Sequence, residues 1–256
     1  MPKTHTIALA MAYDGKPFSG FAQQPGQLTV QGSLNEALEL LYKRPIETTC
    51  AGRTDSGVNA RAQVVSFDLT QDEFSLRPLQ TLKRSLNALI DDRASIHLVE
   101  EKQSGFSARF DAQSREYRYF LCINEARPVL ISDRVWHIAK PLDVEAMRVG
   151  AAHLIGEHDF KSFCQAASAV GKSTCREVFE IDIYEDALLG QEVLVIKVIG
   201  NAFLHSMVRT IVGTLVMVGR EKREPSWVGE VLEKKDRAAA GENAPAKGLV
   251  FWRVNY

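Results

Sequence analysis

Residues 46–69, IETTCAGRTDSGVNARAQVVSFDL, decide the fold. Val64, Ser66 and Asp68 alternate with Val65, Phe67 and Leu69, the period of a strand with one polar face. Ile46 to Ala51 is a shorter strand candidate, and the loop between them is bracketed by glycines: Gly52-Arg53-Thr54-Asp55-Ser56-Gly57. Upstream, Thr6 to Tyr13 reads as a strand and Asp14 to Gly26 as a Gly/Pro-rich loop. Thr29 to Lys43 reads as a helix, with Leu34, Leu38 and Leu41 at helical spacing and Thr29 placed to cap it. Downstream, Pro78 opens a helix carrying Leu79, Leu82, Leu86 and Leu89, and Ser95 to Glu100 is a strand. The order is β-α-β-β-α-β, the split βαβ arrangement.

The rest of the chain repeats that order without repeating its residues. Glu116 to Ile123 is an aromatic-rich strand, and Val144 to Ile155 a helix with Asp143 as its cap. Val178 to Tyr184 and Val193 to Ile199 are strands joined by a polar turn containing Gly190. Phe203 to Val218 is an apolar helix, a short helix follows Pro225, and Leu249 to Val254 is a closing strand. The expectation is an α+β chain of two units, 1–104 and 105–256, with the boundary near Lys102 to Gly105. Each unit carries an antiparallel sheet with helices on one face and the other face free to bind.

Composition narrows the function classes. Of 256 residues, 45% are apolar and 25% charged, the profile of an ordinary globular protein. Lys+Arg is 31 and Asp+Glu is 32, so a strongly basic nucleic-acid coat is excluded while a local basic cleft is not. Ile7 to Ala12 is too short for the apolar core of a signal peptide. The best membrane candidate, Val193 to Gly219, is interrupted by Lys197, Asn201, His205 and Arg209. Cys50, Cys122, Cys164 and Cys175 form no CxxC pair and read as free thiols, so the expected compartment is the cytoplasm.

Three segments could carry chemistry. In Gly52–Gly57, Asp-Ser-Gly is ordinary turn chemistry, but the loop also presents a carboxylate, Asp55, from a rigid strand end with Arg53 beside it for an anionic ligand. In Phe106-Ser107-Ala108-Arg109-Phe110-Asp111, running into Arg115-Glu116-Tyr117-Arg118-Tyr119-Phe120, arginines that pair with phosphates interleave with rings that stack on bases. The competing interpretation is a two-faced strand with an aromatic core and a solvated edge. In the helix from Phe203, Arg209 sits among apolar residues with no acid between Val193 and Gly219. Its guanidinium must reach outward or find a carboxylate elsewhere in the fold, and Asp55 is a plausible partner. His205, four residues before it, reads as structural.

Three look-alikes fail on context. Ala166 to Ser173 ends in Gly171-Lys172-Ser173 but lacks the first glycine and the strand–helix setting of a phosphate loop. Lys172 then reads as a solvated loop residue or a contact to a polyanion. His153, His158, Cys164 and Cys175 fit no usual zinc spacing. Glu180, Asp182, Glu185 and Asp186 fall on a hairpin and read as a solvated strand face.

Together the segments resemble the TruA family of tRNA pseudouridine synthases, in order and over nearly the whole chain. The matching motifs are Tyr13-Asp14-Gly15 with Phe18 and Gly20, Thr29-Val30-Gln31-Gly32, Gly52-Arg53-Thr54-Asp55-x-Gly57-Val58 with Gln63-Val64, and Arg115-x-Tyr117-x-Tyr119. His158-Asp159-Phe160, Met207-Val208-Arg209 with Val212-Gly213-Thr214-Leu215, and Ala244-Pro245-Ala246-x-Gly248-Leu249 complete the series.

The resemblance implies a pseudouridine synthase fold. Two RRM-like or ferredoxin-like units form one central antiparallel sheet with a basic active-site cleft. It implies conversion of uridine to pseudouridine at positions 38, 39 and 40 of the tRNA anticodon arm, without cofactor or metal, by a homodimer. Asp55 is then the catalytic aspartate, Tyr117 stacks on the target base, Arg209 pairs with Asp55, and Arg53 lies by the target nucleotide. Phe106, Ser107, Ala108, Arg109 and Phe110 would contact substrate.

Phe21-Ala22, Ser56, Asn59 and Arg61-Ala62 depart from the family pattern and bear on loop contacts rather than on the chemistry. The residues leave open whether Asp55 attacks C1′, attacks C6 or abstracts a ribose proton. The rival functions are a synthase of the same fold acting on another RNA site, a non-catalytic RNA-binding module, and a small-molecule α/β enzyme.

Overall fold

Apolar side chains at positions 7, 9, 11 and 13 give β1 (Thr4–Tyr13) a fully buried face: Ile7, Leu9, Met11 and Tyr13 are each 4% exposed or less. This is a computed structural model, and it describes residues 4–165, 170, 171 and 173–256. The chain divides into two compact units, Met1–Gln113 with Phe251–Tyr256, and Ser114–Val250.

In the first unit, β1 leads to α1 (Val30–Tyr42), whose start is fixed by Thr29: its hydroxyl accepts the Gly32 amide at 3.1 Å. Lys43 ends that helix in the left-handed region at φ 58°. The strand expected over Ile46 to Ala51 is only β2 (Thr49–Cys50), because Pro45 and the side-chain bonds of Thr48 hold the preceding residues off the sheet. β3 (Asn59–Thr70) is longer than its alternating core. A helix not foreseen, α2 (Gln71–Leu76), follows at once, nucleated by a capping box between Thr70 and Glu73. Then come α3 (Leu79–Leu89), opened by Pro78, and β4 (Ala94–Lys102). The order β4-β1-β3, with β2 antiparallel to β3, is that of a split βαβ unit, and β10 (Leu249–Asn255) lies beside β3.

In the second unit, β5 (Ser114–Ile123) pairs antiparallel with β9 (Gln191–Gly200), and β9 with β8 (Cys175–Leu188), repeating the β1-β3-β2 order. Leu189 and Gly190, both at positive φ, make the tight turn between β8 and β9. β6 (Trp136–Ile138) joins β5 in parallel, one departure from a purely antiparallel sheet. β7 (Gly156–Asp159) closes the far edge on β8. α4 (Val144–Ala152) is capped by Asp143, whose carboxylate accepts the Ala146 amide at 2.9 Å. α5 (Met207–Gly219) begins four residues later than its apolar run suggests, because Ser206 takes a left-handed conformation at φ 61° and stops helical hydrogen bonding upstream. α6 (Trp227–Lys234) follows Pro225. No helix among the described residues is long and apolar enough to cross a membrane. Of the look-alike phosphate loop, residues 166–169 and Lys172 lie outside the described residues.

Candidate active site

Asp55 sits at the head of a turn. Val58 N donates to Asp55 O at 3.2 Å, and Gly57, third in the turn, takes φ 76°, a conformation that glycine adopts without a Cβ clash. The turn interpretation is therefore right, and the turn leaves the carboxylate half-buried while Arg53 is exposed.

The loop rests on the Gly/Pro-rich segment after β1. Phe21 N donates to Thr54 O at 3.1 Å, and Ser56 Oγ donates to Phe18 O at 3.2 Å. Gly15 N donates to Asn59 Oδ1 at 3.0 Å, and a Cβ on Gly15 would fall 2.1 Å from Val58 O, so the two segments touch backbone to backbone. Ser56 and Asn59, two of the departures from the family pattern, are thus fasteners between the loops. Behind the loop lie three buried polar side chains: Tyr13 shares a 2.8 Å hydrogen bond with Thr54 Oγ1, and Gln63 Nε2 donates to Gly52 O at 2.6 Å.

The segment Phe106–Phe110 is a folded turn. Ser107 N donates to Asp111 Oδ2 at 2.8 Å, Ala108 N to Ser66 Oγ at 3.0 Å, and the Tyr256 hydroxyl to Ala108 O at 2.9 Å. Its rings carry cations: the Arg109 guanidinium lies 5.4 Å from the Phe110 centroid and Lys102 Nζ 5.6 Å from that of Phe106. Burial pushes the Cys50 thiol up to about 11, opposed first by Arg53 and also by Arg109. Both arginines therefore act on one neighbourhood, which ties the second candidate segment to the signature loop within the first unit.

In the second unit, β5 places Arg115, Tyr117 and Tyr119 on one face, all buried. The Tyr117 ring is 6% exposed and meets Phe203 edge-on, centroids 5.1 Å apart. The Arg115 guanidinium donates to Asn201 O at 2.5 Å. Tyr119 donates to Pro245 O at 2.8 Å, and burial pushes its phenol far above the usual range, with Arg209 opposing. Arg209, half-buried on α5, donates through Nε to Ala244 O at 2.8 Å while Ala244 N donates to Arg209 O at 3.0 Å. The Ala244-Pro245 motif is thus latched to both Arg209 and Tyr119. A backbone carbonyl as an Arg209 partner was not legible in the apolar run around it. His205 precedes the helix rather than lying on its face, and its carbonyl accepts the Gln165 amide at 3.2 Å.

The first unit thus carries a strand-end carboxylate, and the second carries buried tyrosines and a half-buried arginine. The family model for tRNA pseudouridine synthase matches residues 151–256. A tRNA pseudouridine synthase A of Brevibacillus brevis is 44% identical over 250 residues, covering 98% of this chain and 99% of that protein. One of Bacillus subtilis is 41% identical over 252 residues, covering 98% of each. A crystal structure of a Cbf5-Nop10-Gar1 complex aligns over 96% of this chain and 48% of that chain at 12% identity. Its TM-score of 0.38 is too low to carry an argument. The chain belongs to the tRNA pseudouridine synthase A family.

Proposed function

We propose that this protein isomerises uridine to pseudouridine at positions 38, 39 and 40 of the tRNA anticodon arm, with Asp55 as the essential carboxylate. The observation that carries the reading is the Asp55 turn itself. A half-buried acid is held by hydrogen bonds on both sides, in a chain 44% identical over 250 residues to a protein named tRNA pseudouridine synthase A. The same reading takes the protein to act as a homodimer in the cytoplasm.

The reaction breaks the glycosidic bond at N1 of uracil and remakes it at C5. Substrate and product contain the same atoms, so the protein must expose the nucleotide, assist cleavage, hold the free base while it turns and remove the C5 proton. Base flipping costs a few kcal/mol, less near a loop. Stacking on a ring such as Tyr117 offsets about 1–3 kcal/mol of that. Tyr117 is covered in the free chain, so stacking requires its neighbours, Phe203 among them, to yield. In this reading Arg209 is the cation that serves Asp55, whose carboxylate is the group used in attack at C1′, attack at C6 or proton abstraction. Arg53 and the segment Phe106, Ser107, Ala108, Arg109 and Phe110 hold the nucleotides around the target.

The test is tritium release from tRNA transcripts labelled at C5 of uridine, with the product mapped by position. Asp55→Asn abolishes release and keeps tRNA binding within a few-fold. Residual turnover within about tenfold of wild type, against the 10²-fold or greater losses expected for an essential group, would sink the assignment. Release mapped outside the anticodon arm would keep the chemistry and move the substrate, and binding without release by wild type would favour an RNA-binding module.

A further inference from the structure

Along the buried face of β1 the side chains run Ile7, Leu9, Met11, Tyr13, and along that of β3 they run Gln63, Val65, Phe67, Leu69. Both rows turn polar at the end that meets the Asp55 loop; at the other end of β1 the buried His5 is hydrogen-bonded to Glu101 and Gln71. At the loop end Tyr13 is 4% exposed, Gln63 0% and Thr54 7%. Burying three polar side chains costs free energy that Phe, Met and Val in their places would not, unless each is hydrogen-bonded.

They are bonded, and to the loop. Tyr13 Oη and Thr54 Oγ1 share a 2.8 Å hydrogen bond, the Gln63 side chain acts on the same phenol, and Gln63 Nε2 donates to Gly52 O at 2.6 Å. The backbone before Asp55 is thereby tied at Gly52 and at the Thr54 side chain from below, and at Thr54 O by Phe21 N from the side. Burial pushes the Tyr13 phenol well above its ordinary range.

We infer that Tyr13, Thr54 and Gln63 form a buried positioning network that sets where the Asp55 carboxylate stands relative to the substrate. The inference rests on the reading of Asp55 as the essential carboxylate. The three side chains touch neither substrate nor the reacting atoms. Their work is to hold the Gly52–Asp55 backbone against rotation, and a misplacement of about 1 Å at a reacting group costs on the order of 10²-fold in rate.

The experiment measures kcat, KM for tRNA, the pH profile and the thermal midpoint for Asp55→Asn, Tyr13→Phe, Thr54→Val, Thr54→Ser and the Tyr13→Phe/Thr54→Val double variant. Tyr13→Phe and Thr54→Val each lower kcat about 10- to 100-fold, with KM within twofold and the pH profile unchanged in shape. Thr54→Ser, which keeps the hydroxyl, restores most of the rate. The double variant is no slower than the worse single one, because both remove the same bond. Full activity in Thr54→Val, or additive losses in the double variant, overturns the network, as does a fall in kcat that only tracks the thermal midpoint. If Tyr13→Phe does not fold, the Thr54→Val and Thr54→Ser pair decides alone. An active Asp55→Asn enzyme removes the parent reading. An inactive Asp55→Asn beside a fully active Thr54→Val removes only the network.

Discussion

Arg209 shows how one side chain can serve two ends. Its Nε is committed to Ala244 O and its backbone carbonyl to Ala244 N, so it fastens the loop before β10 to α5. The proposed role towards Asp55 asks only for its charge. Arg209→Lys keeps a charge but loses the planar fork that serves two directions at once, and Arg209→Ala loses both. The expected result is that Arg209→Ala lowers kcat at least tenfold more than it weakens tRNA affinity, with Arg209→Lys intermediate in kcat. Equal losses of turnover and affinity, read by single-turnover kinetics and filter binding, would reassign Arg209 to phosphate binding.

At the scale of elements, the junction of β3 and α2 carries a pH-sensitive fastening. Glu73 closes the capping box by accepting the Thr70 amide at 2.8 Å, and it meets Arg44 in two hydrogen bonds of 2.6 and 2.8 Å. The Arg44 guanidinium holds the Glu73 carboxyl down at about 2, against an ordinary 4.5. A carboxyl whose pKa is lower folded than unfolded binds protons preferentially in the unfolded chain. Its stabilisation is fully present above about pH 4.5 and is lost as pH falls towards 2. Arg44 is partly exposed, so solvent screening keeps the effect modest. Glu73→Gln retains the cap but not the charge. Its thermal midpoint lies below that of wild type at pH 6, and the gap closes between pH 5 and 2. A gap independent of pH would remove Arg44 from this account.

For the whole molecule, a formal charge of −1 conceals a division of labour. Acids of the β8–β9 hairpin are partly neutralised in place, Lys197 Nζ lying 2.6 Å from Glu180 and 3.6 Å from Asp182. Arg53 and Arg109 both act on Cys50 beside the Asp55 loop, Arg109 lies over the exposed Phe110 ring, and Lys102 is shared between Glu100 at 2.7 Å and the half-buried Phe106 ring. Binding of a polyanion to such a molecule releases counterions despite the near-zero net charge. The tRNA dissociation constant is expected to rise roughly tenfold or more between 50 and 200 mM salt, as two or three phosphate contacts would give. A dissociation constant that stays flat in a filter-binding titration would contradict this distribution of charge.

By itself the sequence determined whatever is decided within a few residues. Thr29 and Asp143 cap their helices by bonds three residues long, Pro78 opens α3, and alternation set the core row Val65, Phe67 and Leu69 of β3. Thr70 and Glu73 are equally local, a capping box three residues long at the head of α2. Tertiary structure decided the rest. It trimmed the first short strand to Thr49–Cys50, started α5 at Met207, and added the short strands β6 and β7, which exist only because β5 and β8 offer them edges. It also turned Ser56 and Asn59 into bonds to Phe18 and Gly15, and gathered Tyr13, Thr54 and Gln63 under the Asp55 loop. The physical reason is range. Caps and alternation act over spans the chain cannot avoid, whereas a hydrogen bond between residues 41 or 44 positions apart forms only once packing has brought both away from water.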